Sequence, residues 1–271
     1  MHSAFGSSFA TACARGARAL GSEGATAPAL LLGHRFTPPT RACLALSELV
    51  GFACEFQSVD VWKGENEEAS FLAINPAATV PVLVDGAFTL NQSHAILRHL
   101  ARAASAPTPW YPTAESETIA IVDQWLDWQL LRLRPSLGSL LRYEKMLDSS
   151  LVPPPAFSVA ALVGPSGNEK ETARRTLEVM DHQLARTAYL ATDAEPTIAD
   201  LSAACEIEQA CLDHEPLVKS FAHLSRWLHA MRSVGALADV NDGLPQLHKS
   251  MVDRQSQSKF ITSLRAGAID T

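Results

Sequence analysis

A proline lies where a buried strand is expected to begin. In the stretch ATVPVLVDGAFTL, Ala78 to Leu90, Pro81 precedes the apolar run Val82 to Val84, although proline donates no backbone hydrogen bond and is excluded from central strands. A cis Val80–Pro81 bond would account for it, because cis peptides are essentially confined to proline. The N–H and C=O of Val80 would then face outward as a free strand edge, which suits an extended, peptide-like ligand. A trans proline that opens an edge strand is the alternative.

The composition excludes several classes of function. The five cysteines form no C-x-x-C pair and the nine histidines form no H-E-x-x-H motif, so we expect free thiols in a reducing compartment and no metal site. A net charge of −7 argues against a nucleic-acid partner. No apolar run approaches the ~20 residues needed to span a bilayer. Small molecules or proteins are therefore the expected partners.

Residues 1–28 differ in composition from the rest of the chain. They are rich in alanine and serine, carry Arg15 and Arg18, and have no acidic residue before Glu23. Because organelle transit peptides are rich in arginine and serine and poor in acidic residues, this segment predicts a protein of the mitochondrial or another organelle matrix. A disordered extension of a cytoplasmic protein is the alternative.

From Ala29 onward the hydrophobic pattern becomes regular and predicts the element order of a thioredoxin-like domain over residues 29–103. The predicted elements are a strand at Ala29–His34, a helix at Thr40–Gly51, a strand at Ala53–Val61, a short helix at Asn66–Asn75, a hairpin turning at Asp85–Gly86, and a helix at Gln92–Arg102.

A proline-containing linker, residues 104–114, ends this domain, and only helical patterns follow it. The prolines of Ser149–Gly167 exclude one continuous helix through that stretch. The predicted fold class is therefore α/β plus all-α, with a helical domain over residues 115–243 and a tail over 244–271. The predicted helices lie at Glu115–Met146, Asn168–Leu190, Asp200–Cys211 and Leu217–Val234.

The sequence between the hairpin and the next helix resembles a known family. NPAATVPVLVDGAFTLNQSHAILRHLA, Asn75 to Ala101, is similar to the glutathione-binding signature of the cytosolic glutathione transferases. With WYP after the linker and DQWLDWQLLRLRP on the next helix, the chain is most similar to the theta-like branch. The segment PTIADLSAACEIE resembles the family's buried capping box, in which Thr197 caps a helix and Asp200 bonds back to the Thr197 amide. We expect a folding role for that pair.

The resemblance implies a function. A glutathione transferase joins the thiolate of glutathione, its co-substrate, to a small electrophile, and it does so as a homodimer without a metal. In theta-like members a serine at the start of the first helix donates to the sulfur, and here that place holds Thr37, in RFTPPTRAC. Threonine keeps the hydroxyl but adds a methyl beside the sulfur. Capping the helix before Pro38 is the alternative role. A thiol oxidoreductase would need a cysteine near Thr37, and Cys43 lies too far along the helix.

The resemblance also implies a glutathione pocket. Gln92 and Ser93 match the pair that binds the γ-glutamyl group, and Ser93 is also a candidate helix cap. Val80, before the cis Pro81, matches the residue whose backbone pairs with the cysteinyl part of glutathione. Arg134 matches an arginine that faces the electrophile, with a solvated helix-surface charge as the alternative.

Two departures from the family pattern weaken this assignment. A histidine and a lysine that normally meet the glycine carboxylate of glutathione are replaced by Asn66 and Thr79. Losing both contacts could weaken binding by roughly a hundredfold or more, although Lys63 is close enough in sequence to compensate. We therefore expect weak binding and slow turnover. A non-catalytic subunit or binding module of a larger organellar assembly is the second hypothesis, in which residues 1–28 and 244–271 bind partners.

Overall fold

The computed structural model describes residues 28–141, 168–250 and 253. The predicted targeting segment, the loop Ser149–Gly167 and nearly all of the tail after residue 250 lie outside the described residues. The elements of the first domain are β1 (Ala29–Gly33), α1 (Pro38–Leu49), β2 (Cys54–Ser58), α2 (Ala69–Leu72), β3 (Val82–Asp85), β4 (Phe88–Asn91) and α3 (Ser93–Ala103). The helices that follow are α4 (Ser116–Trp128), α5 (Arg134–Leu141), α6 (Glu169–Leu184), α7 (Ile198–Lys219), α8 (Ala222–Arg232) and α9 (Gly235–Asn241).

The four strands form one mixed sheet in the order β2-β1-β3-β4. β1 runs parallel to β2 and antiparallel to β3, and β4 is antiparallel to β3. Asp85 pairs with Phe88 across the hairpin, and Gly86 adopts a φ of 58°, which glycine tolerates without strain. The predicted thioredoxin-like order and the predicted turn are confirmed.

The central strands are buried because both faces of the sheet are covered. On one face, Leu31 and Leu83 belong to a large apolar cluster that continues through α1 and α3 into α7. On the other face, Leu32 and Val82 pack against Phe71 of α2. α1 also packs directly against α7 and α9, so the two domains share one core.

The described helices confirm an all-helical second domain but not every predicted boundary. α4 continues through a π-helical turn, Gln129–Leu133, into α5, as one long helix was predicted to do. α6 ends at Leu184, short of the predicted Leu190. In the segment after it, the Thr187 hydroxyl donates to the Tyr189 carbonyl, a local bond of the kind that competes with helix.

The predicted break between Cys211 and Leu217 is confirmed at His214, where α7 is interrupted and divides into two helical segments, the second of which contains Pro216. His214 has a φ of −127° and a ψ of 27°, which are not helical values, and the chain bends there two residues before the proline. Because a proline cannot donate to the preceding turn, a kink at this point is the expected way for a helix to continue through it.

The predicted capping box at the start of α7 is confirmed. The Thr197 N–H donates to Asp200 Oδ2 at 2.9 Å, and the Thr197 hydroxyl donates to the same oxygen at 2.9 Å. Asp200 is fully buried and its second oxygen accepts from the Leu190 N–H at 2.8 Å and from the Trp227 indole at 2.9 Å. One carboxylate therefore ties together α7, α8 and the chain that precedes α7.

Candidate active site

The register of the sheet brings three separate segments to one end of the molecule. Leu32, near the end of β1, pairs with Val82 at the start of β3, and Val82 pairs with Asn91 at the end of β4. The loop that carries Thr37, the segment that carries Val80 and the start of α3 must therefore meet at this end. The predicted sulfur donor, peptide edge and γ-glutamyl site share one location.

The Val80–Pro81 bond is cis, as the sequence predicted. Among the described residues, no backbone hydrogen bond of Val80 is found. Pro81 is buried, whereas Val80 is partly exposed. The Val80 peptide groups are thus open to an extended ligand, as a free strand edge would be.

The residues expected at the glycine end of glutathione make bonds within the protein instead. The Asn66 side chain is buried and donates to the Ala78 carbonyl at 2.8 Å. Thr79 accepts from the Asn75 side chain at both its carbonyl, at 2.8 Å, and its hydroxyl, at 3.2 Å. These contacts hold the loop before the cis proline. The Lys63 ammonium group is 2.8 Å from Asp60 and largely exposed.

The start of α3 differs in one detail from expectation. Gln92, not Ser93, is the N-cap residue, and it adopts a φ of 70° that turns the chain into the helix. Ser93 is therefore the first helical residue. Its side chain is 6% exposed, and its hydroxyl makes no hydrogen bond with the described residues. The hydroxyl and the free N–H groups of the first turn are available to an anion.

Thr37 lies at the N-cap position of α1, but its side chain makes no capping hydrogen bond. Its Oγ1 is 2.8 Å from the His34 carbonyl oxygen and 2.7 Å from the Thr40 hydroxyl. Cys43, farther along α1, is fully buried with its Sγ 3.7 Å from the Ser93 carbonyl oxygen, and burial raises the pKa of its thiol well above the ordinary value. Cys43 is therefore no attacking thiolate, and the reactive hydroxyl candidate is Thr37.

Arg134, the arginine expected to face the electrophile, begins α5 and is paired with a buried carboxylate. Its Nε donates to Glu206 Oε1 at 2.6 Å, and the side chains are 23% and 7% exposed. The Gln129 amide donates to the same Glu206 oxygen at 3.2 Å. The alternative of a solvated surface charge is therefore wrong, because Arg134 belongs to a largely buried ion pair. Its contact with an electrophile stays a prediction.

The family sequence model described as "Glutathione S-transferase, N-terminal domain" matches residues 27–102. Human glutathione S-transferase theta-1 is 34% identical over 171 residues, which cover 62% of this chain and 68% of that protein. Glutathione S-transferase F10 of Arabidopsis thaliana is 30% identical over 208 residues, which cover 76% of this chain and 93% of that protein. The chain belongs to the glutathione S-transferase family.

The theta relatives place this glutathione S-transferase in the theta-like branch, as its motifs predicted. Mouse glutathione S-transferase theta-3 is 29% identical over 192 residues, covering 70% of this chain and 76% of that protein. The solved structure of human glutathione-S-transferase T1-1 in its apo form superposes with a TM-score of 0.69 at 26% identity, covering 80% of this chain and 90% of that one.

The sequence reasoning missed one residue that shapes the site of this glutathione S-transferase. Arg41 is fully buried, and its guanidinium donates to the Phe36 carbonyl at 2.6 Å, to the Cys205 carbonyl at 2.8 Å and to Gln209 Oε1 at 2.9 Å. Burial lowers its pKa. The loop before Thr37 is therefore fastened to α7. In the local sequence, the only sign of this role was that Arg41 lies four residues, about one helical turn, after Thr37.

A second missed residue is His94, on the first turn of α3 beside Ser93. Its ring is 7% exposed, and Nε2 is 3.2 Å from the Ser202 hydroxyl of α7. Burial, with added repulsion from Arg134 and Arg98, lowers its pKa to about 3. The imidazole is therefore neutral in the folded protein at any pH near neutrality.

We expect this histidine to make the protein less stable in mild acid. Its folded pKa lies below the unfolded value near 6.5, so the unfolded chain binds the proton more readily, and stability present above pH 6.5 is lost as the pH falls. From pH 7 to pH 5 the loss from His94 amounts to about 2 kcal/mol. Urea unfolding of the wild type and His94→Gln at both values measures it.

The His94→Gln variant should lose correspondingly less stability between the two pH values. Ser202→Ala is the matched control, since it removes the partner hydroxyl but keeps the titrating ring. It should lower stability at both pH values while keeping the wild-type pH dependence. An identical pH dependence in wild type and His94→Gln would refute the assignment.

Proposed function

We propose that this protein is a glutathione transferase that joins the thiolate of glutathione to a small electrophile. The observation that carries the proposal is the meeting, at one end of the sheet, of a hydroxyl on Thr37, a peptide edge at Val80 and the helix N-terminus at Ser93. These are the three features that a thiol tripeptide with a carboxylate at one end requires.

Each of these three features binds a different part of glutathione. The Val80 peptide groups pair with the backbone of the cysteinyl residue. The γ-glutamyl carboxylate lies at the start of α3, where the Ser93 hydroxyl and the free N–H groups donate to it and the helix dipole favours its charge. The exposed Gln92 side chain binds the same group.

The chemical step needs no oxidant or other co-reactant. The thiol proton passes to solvent, and the Thr37 hydroxyl donates to the sulfur anion, which lowers the thiol pKa from its ordinary value of ~8.5. The sulfur lone pair then forms the new carbon–sulfur bond, and the leaving group departs with its electron pair. When the electrophile is an epoxide, its oxygen keeps that pair and takes a proton from water.

Weak binding and slow turnover are part of the proposal. Asn66 and Thr79 are committed to the loop of the cis proline, and Lys63 is close to Asp60. These contacts therefore provide no cation for the glycine carboxylate of glutathione. A hydrogen bond to a charged group contributes ~1.5 to 3 kcal/mol, so its absence should raise the Kd for glutathione.

The test combines binding with turnover. The purified protein is passed over immobilised glutathione, eluted with free glutathione, and assayed for thioether formation with an alkyl halide, an aryl halide and an epoxide. Ser93→Ala should raise the glutathione Kd by about tenfold, measured by calorimetry. Ser139→Ala is the control, because that hydroxyl donates within α5 to the Pro135 carbonyl, and it should keep the wild-type Kd.

The outcomes separate the candidate functions. Retention with turnover supports the transferase. Retention without turnover supports a glutathione-binding module. Absence of retention, with large partners co-purifying from the source, supports the non-catalytic subunit of a larger assembly.

We also propose an oligomeric state and a subcellular location for this protein. A two-fold homodimer is supported by exposed apolar side chains on α4 and α6, where Ile121 and Val179 are 41% and 48% exposed. Trp125 and Trp128 line a groove between the same helices.

The arginine- and serine-rich composition of residues 1–28 supports a location in the mitochondrial matrix or the matrix of another organelle. Among the described residues no helix could cross a membrane, and no cluster of His, Cys, Asp and Glu could hold a metal ion.

A further inference from the structure

A second hydroxyl lies directly against that of Thr37. Thr40 is on the first turn of α1, is 0% exposed, and has its Oγ1 2.7 Å from Thr37 Oγ1. Within the part of the chain that the structure describes, Thr37 is the only hydrogen-bond partner of the Thr40 hydroxyl. Buried hydroxyls are rarely left without a partner, so this contact accounts for the polar group of Thr40.

The hydroxyl protons can be assigned by counting donors and acceptors. The His34 carbonyl only accepts, and it lies 2.8 Å from Thr37 Oγ1. Thr37 has a single hydroxyl proton, which cannot point at both His34 and Thr40. Both contacts are hydrogen bonds only when the proton between the two threonines is the one of Thr40, so we assign Thr40 as the donor to Thr37. The proton of Thr37 points at His34 in the free protein.

That proton can turn to a sulfur at little cost. When it leaves the His34 carbonyl, the same oxygen still accepts from the Thr37 backbone N–H at 2.9 Å. The bond from Thr40 remains in place, because it uses a lone pair of Thr37 Oγ1 and not its proton. A hydroxyl that accepts a hydrogen bond is also polarised into a stronger donor.

We propose that Thr40 is a positioning residue for the thiolate step, holding the Thr37 hydroxyl by a donated hydrogen bond so that the Thr37 proton is directed to the sulfur of glutathione. The inference rests on the proposed transferase function. It also gives a reason why threonine serves at position 37. The bond from Thr40 fixes the side chain, so the added methyl is kept in one orientation.

Gly33 provides the space that this arrangement needs. A Cβ built on Gly33 would lie 2.6 Å from both Cγ2 and Oγ1 of Thr40, closer than real atoms approach. The absence of a side chain at the end of β1 thus lets the Thr40 side chain occupy its place beneath Thr37. Gly33→Ala should displace the Thr40 hydroxyl without altering either threonine.

The test measures the pKa of the glutathione thiol bound to the protein, from the ultraviolet absorbance of the thiolate across pH. Thr40→Val, which keeps the shape and removes the hydroxyl, should raise that pKa by about half to one unit. It should lower kcat about threefold to tenfold at neutral pH, with the KM for glutathione changed by less than about twofold. Above the bound-thiol pKa the two rates should converge.

Two further variants exclude a merely structural effect. Thr40→Ser keeps the donor and should restore the wild-type pH profile. Thr172→Val, on the exposed surface of α6, removes a hydroxyl bonded to the Asn168 carbonyl and should leave the profile unchanged. If Thr40→Val does not fold, Thr40→Ala and Gly33→Ala provide the same comparison.

A double variant separates this inference from the function on which it rests. In Thr37→Val, adding Thr40→Val should change the bound-thiol pKa no further, because the shared target is gone. If Thr37→Val alone leaves that pKa unchanged, the role of Thr37 fails and the inference fails with it. If Thr37→Val raises it and Thr40→Val does not, the transferase stands and only the role of Thr40 is overturned.

Discussion

Thr37→Val is expected to lower kcat/KM for thioether formation about 10- to 100-fold, because it removes the hydroxyl that we propose donates to the sulfur anion. Valine has nearly the shape of threonine, so the start of α1 and the packing of Thr40 are kept. Among the described residues, the lost hydroxyl bonds only the His34 carbonyl and Thr40. Initial rates at several glutathione concentrations measure the effect, and the loss should lie in kcat more than in KM.

Thr37→Ser is the informative companion to that variant. It keeps the donor and removes the methyl beside the sulfur, so its rate should equal or exceed that of the wild type. Thr176→Val, which removes an exposed hydroxyl bonded within α6, should behave as the wild type. Equal rates for the wild type and Thr37→Val would end the catalytic assignment and favour the non-catalytic subunit.

Asp200→Ala is expected to lower the free energy of unfolding by roughly 3 to 5 kcal/mol. The carboxylate is fully buried and accepts from the backbone and hydroxyl of Thr197, the Leu190 N–H and the Trp227 indole. Burial raises the pKa of Asp200, while these donors oppose that rise. Alanine leaves several donors in the interior without an acceptor. Urea unfolding followed by circular dichroism measures the loss.

Asp193→Ala is the matched control for this prediction. Asp193 also accepts a backbone hydrogen bond, from the Ala188 N–H at 3.0 Å, but it does so at the surface. Its removal should cost less than about 1 kcal/mol. A loss of the same small size for Asp200→Ala would show that the capping box does not stabilise the helical domain.

Local signals were sufficient for most of the first domain and for the capping box. Asp85–Gly86, the proline at position 81 and the pair Thr197 and Asp200 each determine their structure through neighbours in sequence. That the break inside α7 is confined to His214 and that the helix resumes at once through Pro216 could not be predicted in this way. Whether a helix kinks or ends at a proline depends on what it packs against, and α7 is buried along much of its length.

The parts of the candidate site that lie in one continuous sequence motif could be predicted. The parts that depend on contacts between distant residues could not. Val80 and Ser93 follow from a continuous motif. Arg41, by contrast, acts through Cys205 and Gln209, more than 160 residues away, and His94 acts through Ser202. Thr40 is near Thr37 in sequence, yet its role depends on the space left by a glycine on the preceding strand.

The contacts of Arg41 bear on how this protein can change over evolutionary time. The conformation of the loop before Thr37 is set partly by carbonyl and amide oxygens of α7 in the other domain. α7 also carries Ser202 and Glu206, the partners of His94 and Arg134. A substitution in α7 that moves these oxygens is therefore expected to change the conformation of the loop before Thr37, although that loop lies in the other domain. Variation in the helical domain and variation in this loop are consequently expected to be inherited together, as one trait rather than two.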